Sequence, residues 1–373
     1  MTARFDRPAL AVVKIGSSSL RADSGRLDRA QVRDVADQVL SARADGTQVV
    51  VVSSGAVAAG MGLLGLERRP TDLPTLQAAA AVGQGELIQA YQDVLEPHGH
   101  PAAQILLSQD DFVRRGRYLN ARTTIRRLLD LGAVPIINEN DAITPEELAY
   151  GDNDHLAALV ASMLDAQLLV LLSDVDGLYE GDPRTDPSAR LVEKVTDLAE
   201  IEQLSIGGVG SYVGSGGMRT KVQAAEVAVR SGSHAVIAHA RWPGIIGQTI
   251  EGAEVGTWFV AQPRRIEARR LWIGFALTTH GRIHVDSGAA HALRANNVSL
   301  LGVGVTGADG TFAAGDAVEV VDPAGVVVAR GLVNYDVADI AKVAGQSTSD
   351  ASAAHGHGYA REVIHRDDLI VVG

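Results

Sequence analysis

The sequence predicts an α/β protein with a mainly parallel central sheet, followed by a smaller domain rich in β-strands. Over the first 240 residues, short apolar runs alternate with segments in which apolar side chains recur at helical spacing. Val49–Val52 and Leu168–Leu172 are apolar without interruption, as expected of strands buried on both faces. Repeated alternation of this kind predicts parallel strands covered by helices on both faces.

The elements of this region follow one another in a regular order. In chain order the predicted strands are Ala11–Ile15, Val49–Val52, Ala103–Leu107, Val134–Ile137, Leu168–Leu172 and Ala235–Ala238. Helical spacing predicts helices that begin near Asp28 and that cover Leu76–Leu95, Leu119–Leu131, Leu156–Leu164 and Lys221–Arg230. Ligands of such sheets bind at the carboxyl ends of the strands, so the strand-to-helix connections are the candidate sites.

The pattern changes after about Gln262, and a chain of 373 residues exceeds the usual size of one hydrophobic core. Arg264–Arg270 contains four arginines, which is typical of a solvent-exposed linker or helix. From Arg282 onward the apolar runs are short, alternating and punctuated by glycine, which predicts a small β-barrel or sandwich. We therefore predict a first domain at 8–262, a linker at 263–278 and a second domain at 279–373, in which Gly345–Gly358 forms a loop.

The composition disfavours several classes of protein. The formal net charge of −12 argues against a general nucleic-acid binder, because phosphate neutralisation needs a basic surface. No run of about eighteen apolar residues occurs, and Met1–Pro8 lacks the apolar segment of a signal peptide. Without cysteine, any metal would be bound by oxygen or imidazole ligands. We expect a cytoplasmic protein that does not enter the membrane.

Lysine is rare in this chain, and one lysine lies on a loop suited to anions. Of the 33 basic residues only four are lysine, which either reflects compositional bias or marks sites that need a compact point charge. Lys14 ends a predicted strand and is followed by Gly16, where the backbone can approach a ligand closely. Ser17–Ser19 add hydrogen-bond donors, and the backbone N–H groups of such a turn form an anion-binding nest.

A second lysine, Lys221, follows the glycine-rich segment Gly214–Gly217. The spacing differs from that of a P-loop, and no dinucleotide-binding glycine motif follows the first strand. Because Lys221 lies at the start of a predicted helix, phosphate would meet the free N–H groups of a helix N-terminus. A glycine cluster alone is also typical of a flexible linker, so the lysine is what favours a phosphate site.

Polar and acidic clusters lie at the ends of three predicted elements. Asn138–Asp141 follows one strand, Ser173 and Asp174 follow another, and Gly151–Asp154 precedes a helix. A helix cap would account for either Asp152 or Asp154, but it would not account for the two clusters Asn138–Asp141 and Gly151–Asp154 together. These positions therefore indicate a ligand site at one edge of the sheet.

Six segments of the first domain, in chain order VVKIGSSSL, VVSSGAVAAG, NENDAI, GDNDHLAALVA, LLSDVDGLY and GSGGMRTKVQAA, span about residues 9–240. Together they resemble the amino-acid kinase superfamily, and within it the glutamate 5-kinase family. The C-terminal region, with Val285–Ala289, Leu300–Gly304 and Gly315–Val318, is similar to a PUA domain. The resemblance implies a three-layer sandwich with a mainly parallel sheet, joined to a small PUA-like barrel.

The resemblance also implies an activity: transfer of a phosphoryl group from ATP to the side-chain carboxylate of L-glutamate, the first step of proline biosynthesis. It implies that Lys14, Asp154 and Lys221 are catalytic, with Asp154 holding the two ammonium groups in place. The implied glutamate-binding residues are Ser54, Asn138, Asp141, Asp152 and Asn153. The implied ATP-binding residues are Lys14, Ser173, Asp174, Ser215, Gly216, Gly217, Met218, Arg219, Thr220 and Lys221. Mg²⁺ is expected mainly through the phosphates, with no dedicated protein site.

The same resemblance implies feedback inhibition by proline and a homo-oligomer. Two alternatives stay open. Another carboxylate kinase of the superfamily, acting on aspartate or acetylglutamate, would share the fold, and an RNA-binding PUA protein would share the tail. Residues 279–373 contain six basic and eleven acidic residues, a net charge of −5 that disfavours RNA binding.

Overall fold

The structure is a computed structural model, and it describes residues 5–372 apart from 23, 109, 144–152, 182, 184–185, 187, 198–215, 264–269, 271–272, 274–276, 278 and 297. The chain divides into two compact units, Met1–Ile266 and Glu267–Gly373. The boundary between the units falls inside the segment that the sequence predicts as a linker. No helix within the described ranges is long and apolar enough to cross a membrane.

The first unit is built on one large sheet. Its strands are β1 (Leu10–Ile15), β2 (Gln48–Ser53), β3 (Ala102–Leu107), β4 (Val134–Glu139), β5 (Leu168–Ser173), β6 (Lys194–Val195), β7 (His234–His239) and β8 (Thr257–Phe259). Their spatial order is β3-β4-β2-β1-β5-β7-β8-β6, and the paired strands are parallel except β7 and β8. The predicted mainly parallel sheet is thereby confirmed.

Helices follow the strands as the sequence pattern predicts. In the first unit they are α1 (Arg29–Ala44), α2 (Ala56–Leu63), α3 (Leu73–Leu95), α4 (Asp110–Val113), α5 (Arg115–Asp130), α6 (Asn153–Met163), α7 (Gly216–Arg230) and α8 (Ile245–Ile250). Asp28 caps α1 by accepting a hydrogen bond from the backbone N–H of Gln31 at 3.1 Å. The sequence pattern does not predict α2, α4 or α8, which are short.

β1 places a lysine in the middle of the sheet. All six of its residues are buried, because β2 and β5 flank it and helices cover both faces. Lys14 lies opposite Val52 of β2 and Leu171 of β5, one residue before the carboxyl end of the strand. A fully buried strand therefore places the ammonium group of Lys14 at the carboxyl edge of the sheet.

α2 and α3 pack with their backbones almost in contact. A Cβ atom on Gly60 would lie 1.8 Å from the carbonyl oxygen of Ala79, and one on Gly83 would lie 1.8 Å from that of Ala56. Only glycine permits this approach. Since α2 follows directly from β2, the contact brings the middle of α3 to the carboxyl end of the sheet.

Gly83→Ala is expected to destabilise the first unit by about 1–3 kcal/mol or more, because overpacking forces the backbones of α2 and α3 apart. Gly85→Ala is the matched control on the same helix, since a Cβ atom there meets nothing within 4 Å. The stability of that variant is expected to rise by up to about 1 kcal/mol, because alanine has a higher helix propensity than glycine. Urea denaturation of both variants measures the difference, and equal stabilities would contradict the interlocked packing.

The start of α7 was predicted wrongly. The helix begins at Gly216, five residues before the predicted start at Lys221, so Lys221 lies in its second turn. Gly216 and Gly217 belong to the first turn although glycine has a poor helix propensity. Burial of Met218, which is only 4% exposed, anchors that turn and outweighs the propensity.

The second unit has its own core and a five-stranded sheet. Its strands are β9 (Gly281–Val285), β10 (Val305–Gly310), β11 (Ala317–Val321), β12 (Val327–Leu332) and β13 (Leu369–Val371), in the order β10-β9-β11-β12-β13. Its helices are α9 (Ser287–Ala295), α10 (Val337–Val343) and α11 (Thr348–His355). The predicted loop Gly345–Gly358 is wrong, because Ser347 caps α11 by accepting a hydrogen bond from the Asp350 N–H at 3.1 Å.

Candidate active site

A cavity of about 930 Å³ opens at the carboxyl ends of the central strands. This is the edge of a parallel sheet where ligands bind, and the volume suits a nucleotide or a comparable small molecule. The predicted site residues that line it are Lys14, Ser54, Asn138, Asp141, Asn153, Ser173, Asp174, Gly217, Met218 and Lys221. The fold therefore brings residues from six separate segments of the chain to one cavity.

The other predicted site residues do not line the cavity or lie outside the described residues. Asp154 is fully buried beneath the two lysines, Arg219 points to solvent on α7, and Thr220 donates a hydrogen bond to the Asp154 carboxylate at 3.1 Å. Gly216 begins α7. Asp152 and Ser215 lie outside the described residues.

Lys14 and Lys221 share one carboxylate. Lys14 Nζ lies 2.5 Å from Asp154 Oδ1, and Lys221 Nζ lies 3.0 Å from Asp154 Oδ2. All three groups are nearly inaccessible, with relative exposures of 1% for Lys14, 0% for Asp154 and 8% for Lys221. β1, α6 and α7 each supply one of the three groups, so the cluster forms only in the folded sheet.

The charge of the Lys14–Asp154–Lys221 cluster favours the binding of an anion. Two ammonium groups and one carboxylate give the cluster a formal charge of +1, and both lysines also line the cavity. Burial in a medium of low dielectric constant strengthens the field of such a charge. A phosphoryl group, with three oxygens that accept charge-assisted hydrogen bonds, is a suitable ligand.

The turn after β1 brings backbone close to the same point. A Cβ atom on Gly16 would lie 3.4 Å from Lys14 Nζ, at about contact distance, so the turn passes directly beside the ammonium group. Ser17 and Ser18 are exposed and line the cavity. Gly16, Ser17 and Ser18 thus form an open, polar wall beside the lysine, whereas Ser19, which the sequence also predicts as a donor here, is buried and does not line the cavity.

A network of amides forms the opposite side of the site. Asn153 Nδ2 donates hydrogen bonds to Ser54 Oγ and to Asn138 Oδ1, both at 2.8 Å. Asn138 Nδ2 donates to Gln84 Oε1 at 3.0 Å, and Asn138 Oδ1 also accepts from the backbone N–H of Glu139 at 2.9 Å. These contacts fix which atom each amide presents, and they join three of the predicted glutamate-binding residues.

Asp141 and Arg69 add opposite charges to the cavity wall. Burial raises the pKa of the Asp141 carboxyl above its ordinary value, and the charge of Arg69 opposes that shift. Both side chains line the cavity. An acid beside a base at one end of the cavity suits a ligand that carries both an ammonium and a carboxylate group.

Sequence reasoning missed Arg21, Arg69 and Gln84, and it named Glu139 only as a member of the Asn138–Asp141 cluster, without a role. Arg21 and Arg69 are exposed members of loops, in a chain where arginine is common, so no pattern distinguishes them. Gln84 did offer a signal: it is a polar residue on the small-residue face of a helix predicted from its apolar spacing. Its burial at 7% exposure shows that this face meets the site.

A mainly parallel sheet with a buried lysine–aspartate–lysine cluster beside a nucleotide-sized cavity defines a phosphotransferase of the α/β class. The chain belongs to the amino acid kinase family, which it matches over residues 9–239, and residues 281–353 match the PUA domain. It is similar to the glutamate 5-kinase of Salinispora arenicola, with 49% identity over 362 residues and 97% of each chain covered.

Similarity over nearly the full length extends to other species. The glutamate 5-kinase of Myxococcus xanthus is 48% identical over 361 residues, covering 97% of this chain and 96% of that protein. Among solved structures, the UMP kinase of Bacillus anthracis covers 68% of this chain and 96% of its own, with a TM-score of 0.47 and 16% sequence identity.

Proposed function

We propose that this protein is a glutamate 5-kinase, which catalyses the first step of proline biosynthesis. It transfers the γ-phosphoryl group of ATP to the side-chain carboxylate of L-glutamate, giving L-glutamyl 5-phosphate and ADP. The observation that carries the proposal is the Lys14–Asp154–Lys221 cluster on a cavity whose other wall is built of amides. Similarity to glutamate 5-kinases over 97% of the chain supports the choice of substrate.

The chemistry needs no general base. A glutamate side chain has a pKa of about 4.3, so its carboxylate is already ionised at neutral pH. One of its oxygens forms a bond to the γ-phosphorus while the bond from that phosphorus to the bridging oxygen of ADP breaks. The obstacle is repulsion between two anions, and it is overcome by positioning and by neutralisation of charge.

Lys14 and Lys221 would supply that neutralisation. Their ammonium groups lie on the cavity wall, where the three equatorial oxygens of the transferring group carry charge. Asp154 would hold both ammonium groups in place through its two oxygens, because it lies within 3.0 Å of each. A cation fixed in advance does not have to reorganise during the reaction.

The two substrates would occupy different ends of the cavity. We assign glutamate to the amide side, with Ser54, Asn138, Asp141, Asp152 and Asn153. ATP would lie along the carboxyl end of β5 and the start of α7, where Ser173, Asp174 and the segment Ser215–Lys221 would bind it. In the structure, Ser173 Oγ donates to Asp174 Oδ1 at 3.2 Å, which orients that carboxylate.

Mg²⁺ would accompany ATP. The carboxylates of Glu139, Asp141 and Asp174 line the cavity, and carboxylate oxygens are ligands that Mg²⁺ accepts. Of these, Asp174 lies on the proposed ATP side and is the residue that would hold the ion together with the phosphates and water. Bound Mg²⁺ would neutralise part of the phosphate charge.

Regulation and assembly follow from the same proposal. Proline shares the α-carboxylate and the protonated amine of glutamate, so we propose that it inhibits the enzyme at the glutamate end of the cavity. We also propose that the enzyme is a homo-oligomer of the cytoplasm.

Substrate choice tests the proposed function. ATP consumption by the purified protein is measured with L-glutamate, L-aspartate and N-acetyl-L-glutamate at equal concentrations. Turnover is expected with glutamate and at least about tenfold less with either alternative, since a misplaced carboxylate loses the near-attack geometry. Failure to consume ATP with glutamate, or a preference for either alternative, would refute the proposal.

A further inference from the structure

Gln84 is buried beside the site but does not line the cavity. It lies on α3 next to Gly83, whose contact with α2 brings this part of the helix close to the carboxyl end of β2. Its Oε1 atom accepts the hydrogen bond from Asn138 Nδ2 at 3.0 Å. Its Nε2 atom is buried and has no hydrogen-bond partner among the described residues. Only the oxygen of this buried amide is hydrogen-bonded, and a buried polar side chain of this kind needs an explanation beyond stability.

The direction of every hydrogen bond in the network is fixed by one backbone group. The N–H of Glu139 can only donate, so Asn138 must present Oδ1 to it, as it does at 2.9 Å. Asn138 Nδ2 must then face Gln84, and that position requires an acceptor. Gln84 Oε1 supplies it.

The same logic continues to Asn153. Because Asn138 presents an oxygen, Asn153 must present Nδ2 toward it, and the second hydrogen of that Nδ2 goes to Ser54 Oγ. Both hydrogens of the amide are thereby used. Asn153 Oδ1 is left as an acceptor that is buried, without a hydrogen-bond partner among the described residues, on a side chain that lines the cavity.

We propose that Gln84 is a positioning residue that acts through Asn138 to hold Asn153 Oδ1 ready to accept a hydrogen bond from the α-ammonium group of the amino-acid substrate. An ammonium group only donates, so the orientation of the Asn153 amide decides whether it attracts or repels this group. The carboxylate of Asp141, which lines the same cavity, would provide the opposite charge. This inference rests on the proposed function, because it assigns one end of glutamate within the same cavity.

The test compares Gln84→Met with Gln84→Glu. Methionine has a similar length but offers no acceptor of comparable strength, whereas the glutamate side chain keeps an oxygen in the same place. For each variant and the wild type, KM and kcat are measured with L-glutamate and with glutarate, which has both carboxylates but lacks the amine. KM for ATP and the melting temperature are measured alongside.

Gln84→Met is expected to raise KM for glutamate on the order of tenfold, the scale of one lost hydrogen bond, while KM for ATP changes little. Its preference for glutamate over glutarate, as the ratio of kcat/KM values, is expected to fall by a similar factor. Gln84→Glu is expected to restore most of that preference. A purely structural role would instead lower turnover of both substrates alike.

Two outcomes would overturn the inference while leaving the proposed function intact. One is a folded Gln84→Met variant whose kcat/KM ratio for glutamate over glutarate is unchanged. The other is an equal fall of that ratio in Gln84→Met and Gln84→Glu. If the wild type itself does not phosphorylate glutamate, the proposed function fails and this inference fails with it. Normal wild-type turnover with unchanged selectivity in Gln84→Met would overturn the inference alone.

Discussion

Lys14→Met is expected to lower kcat for glutamate phosphorylation by about a hundredfold to a thousandfold, the usual effect of removing one group that stabilises charge in the transition state. The substitution removes one of two ammonium groups that face the cavity from the shared carboxylate. The stability of the fold should change little, because methionine fills similar space and Asp154 keeps its ion pair with Lys221. Steady-state kinetics with saturating ATP and glutamate measure the effect.

Lys194→Met is the matched control for this prediction. Lys194 is one of the four lysines of the chain and is exposed on β6, away from the cavity lining. Its replacement should leave kcat within about twofold of the wild type, since exposed charges at a distance are screened by salt. A Lys14→Met enzyme that kept near-normal kcat would contradict the mechanism.

Asp154→Asn is expected to reduce both stability and activity. The asparagine has nearly the same shape but no charge, so two buried ammonium groups lose the carboxylate that they share. Removing one partner from a buried ion pair typically costs about 3–5 kcal/mol. We therefore expect a lower urea midpoint for the first unit and a loss of turnover at least as large as that of Lys14→Met.

Asp165→Asn is the matched control, because it removes the same charge from a carboxylate that is exposed. Asp165 also lies close to two basic side chains, Arg122 at 2.6 Å and Arg126 at 3.4 Å, but its carboxylate is 48% exposed. Its φ of 51° is left-handed, a conformation that asparagine accepts as readily as aspartate. Exposed pairs contribute little, so a change within about 1 kcal/mol is expected. If Asp154→Asn were equally mild, the buried cluster would not hold the site together.

Much of the first unit could be predicted because its signals are local. Short continuous runs of β-branched residues such as Val49–Val52 are typical of strands buried on both faces, and the structure places this run in β2. Because ligands bind at the carboxyl ends of parallel strands, the strand assignments alone place Lys14, Asn138 and Ser173 at one edge of the sheet. The structure brings these three residues to the same cavity.

The features that were missed depend on tertiary contacts. α11 buries only Ala351 and has little apolar periodicity, so its caps, Ser347 and Gly356, were the available signals. α7 starts on glycines because Met218 is buried, which helix propensity does not reveal. Gln84 acts on the site through Asn138, and only the hydrogen bond between them shows it.

The interlocked glycines of α2 and α3 have a consequence for redesign of the enzyme. Since backbone touches backbone at Gly60 and Gly83, neither helix can slide or rotate to enlarge the substrate end of the cavity. Variation of substrate size is therefore expected to come from the loop between these helices, where Arg69 lines the cavity and most residues are exposed. A library that randomises this loop should retain folded members far more often than one that targets the helical interface.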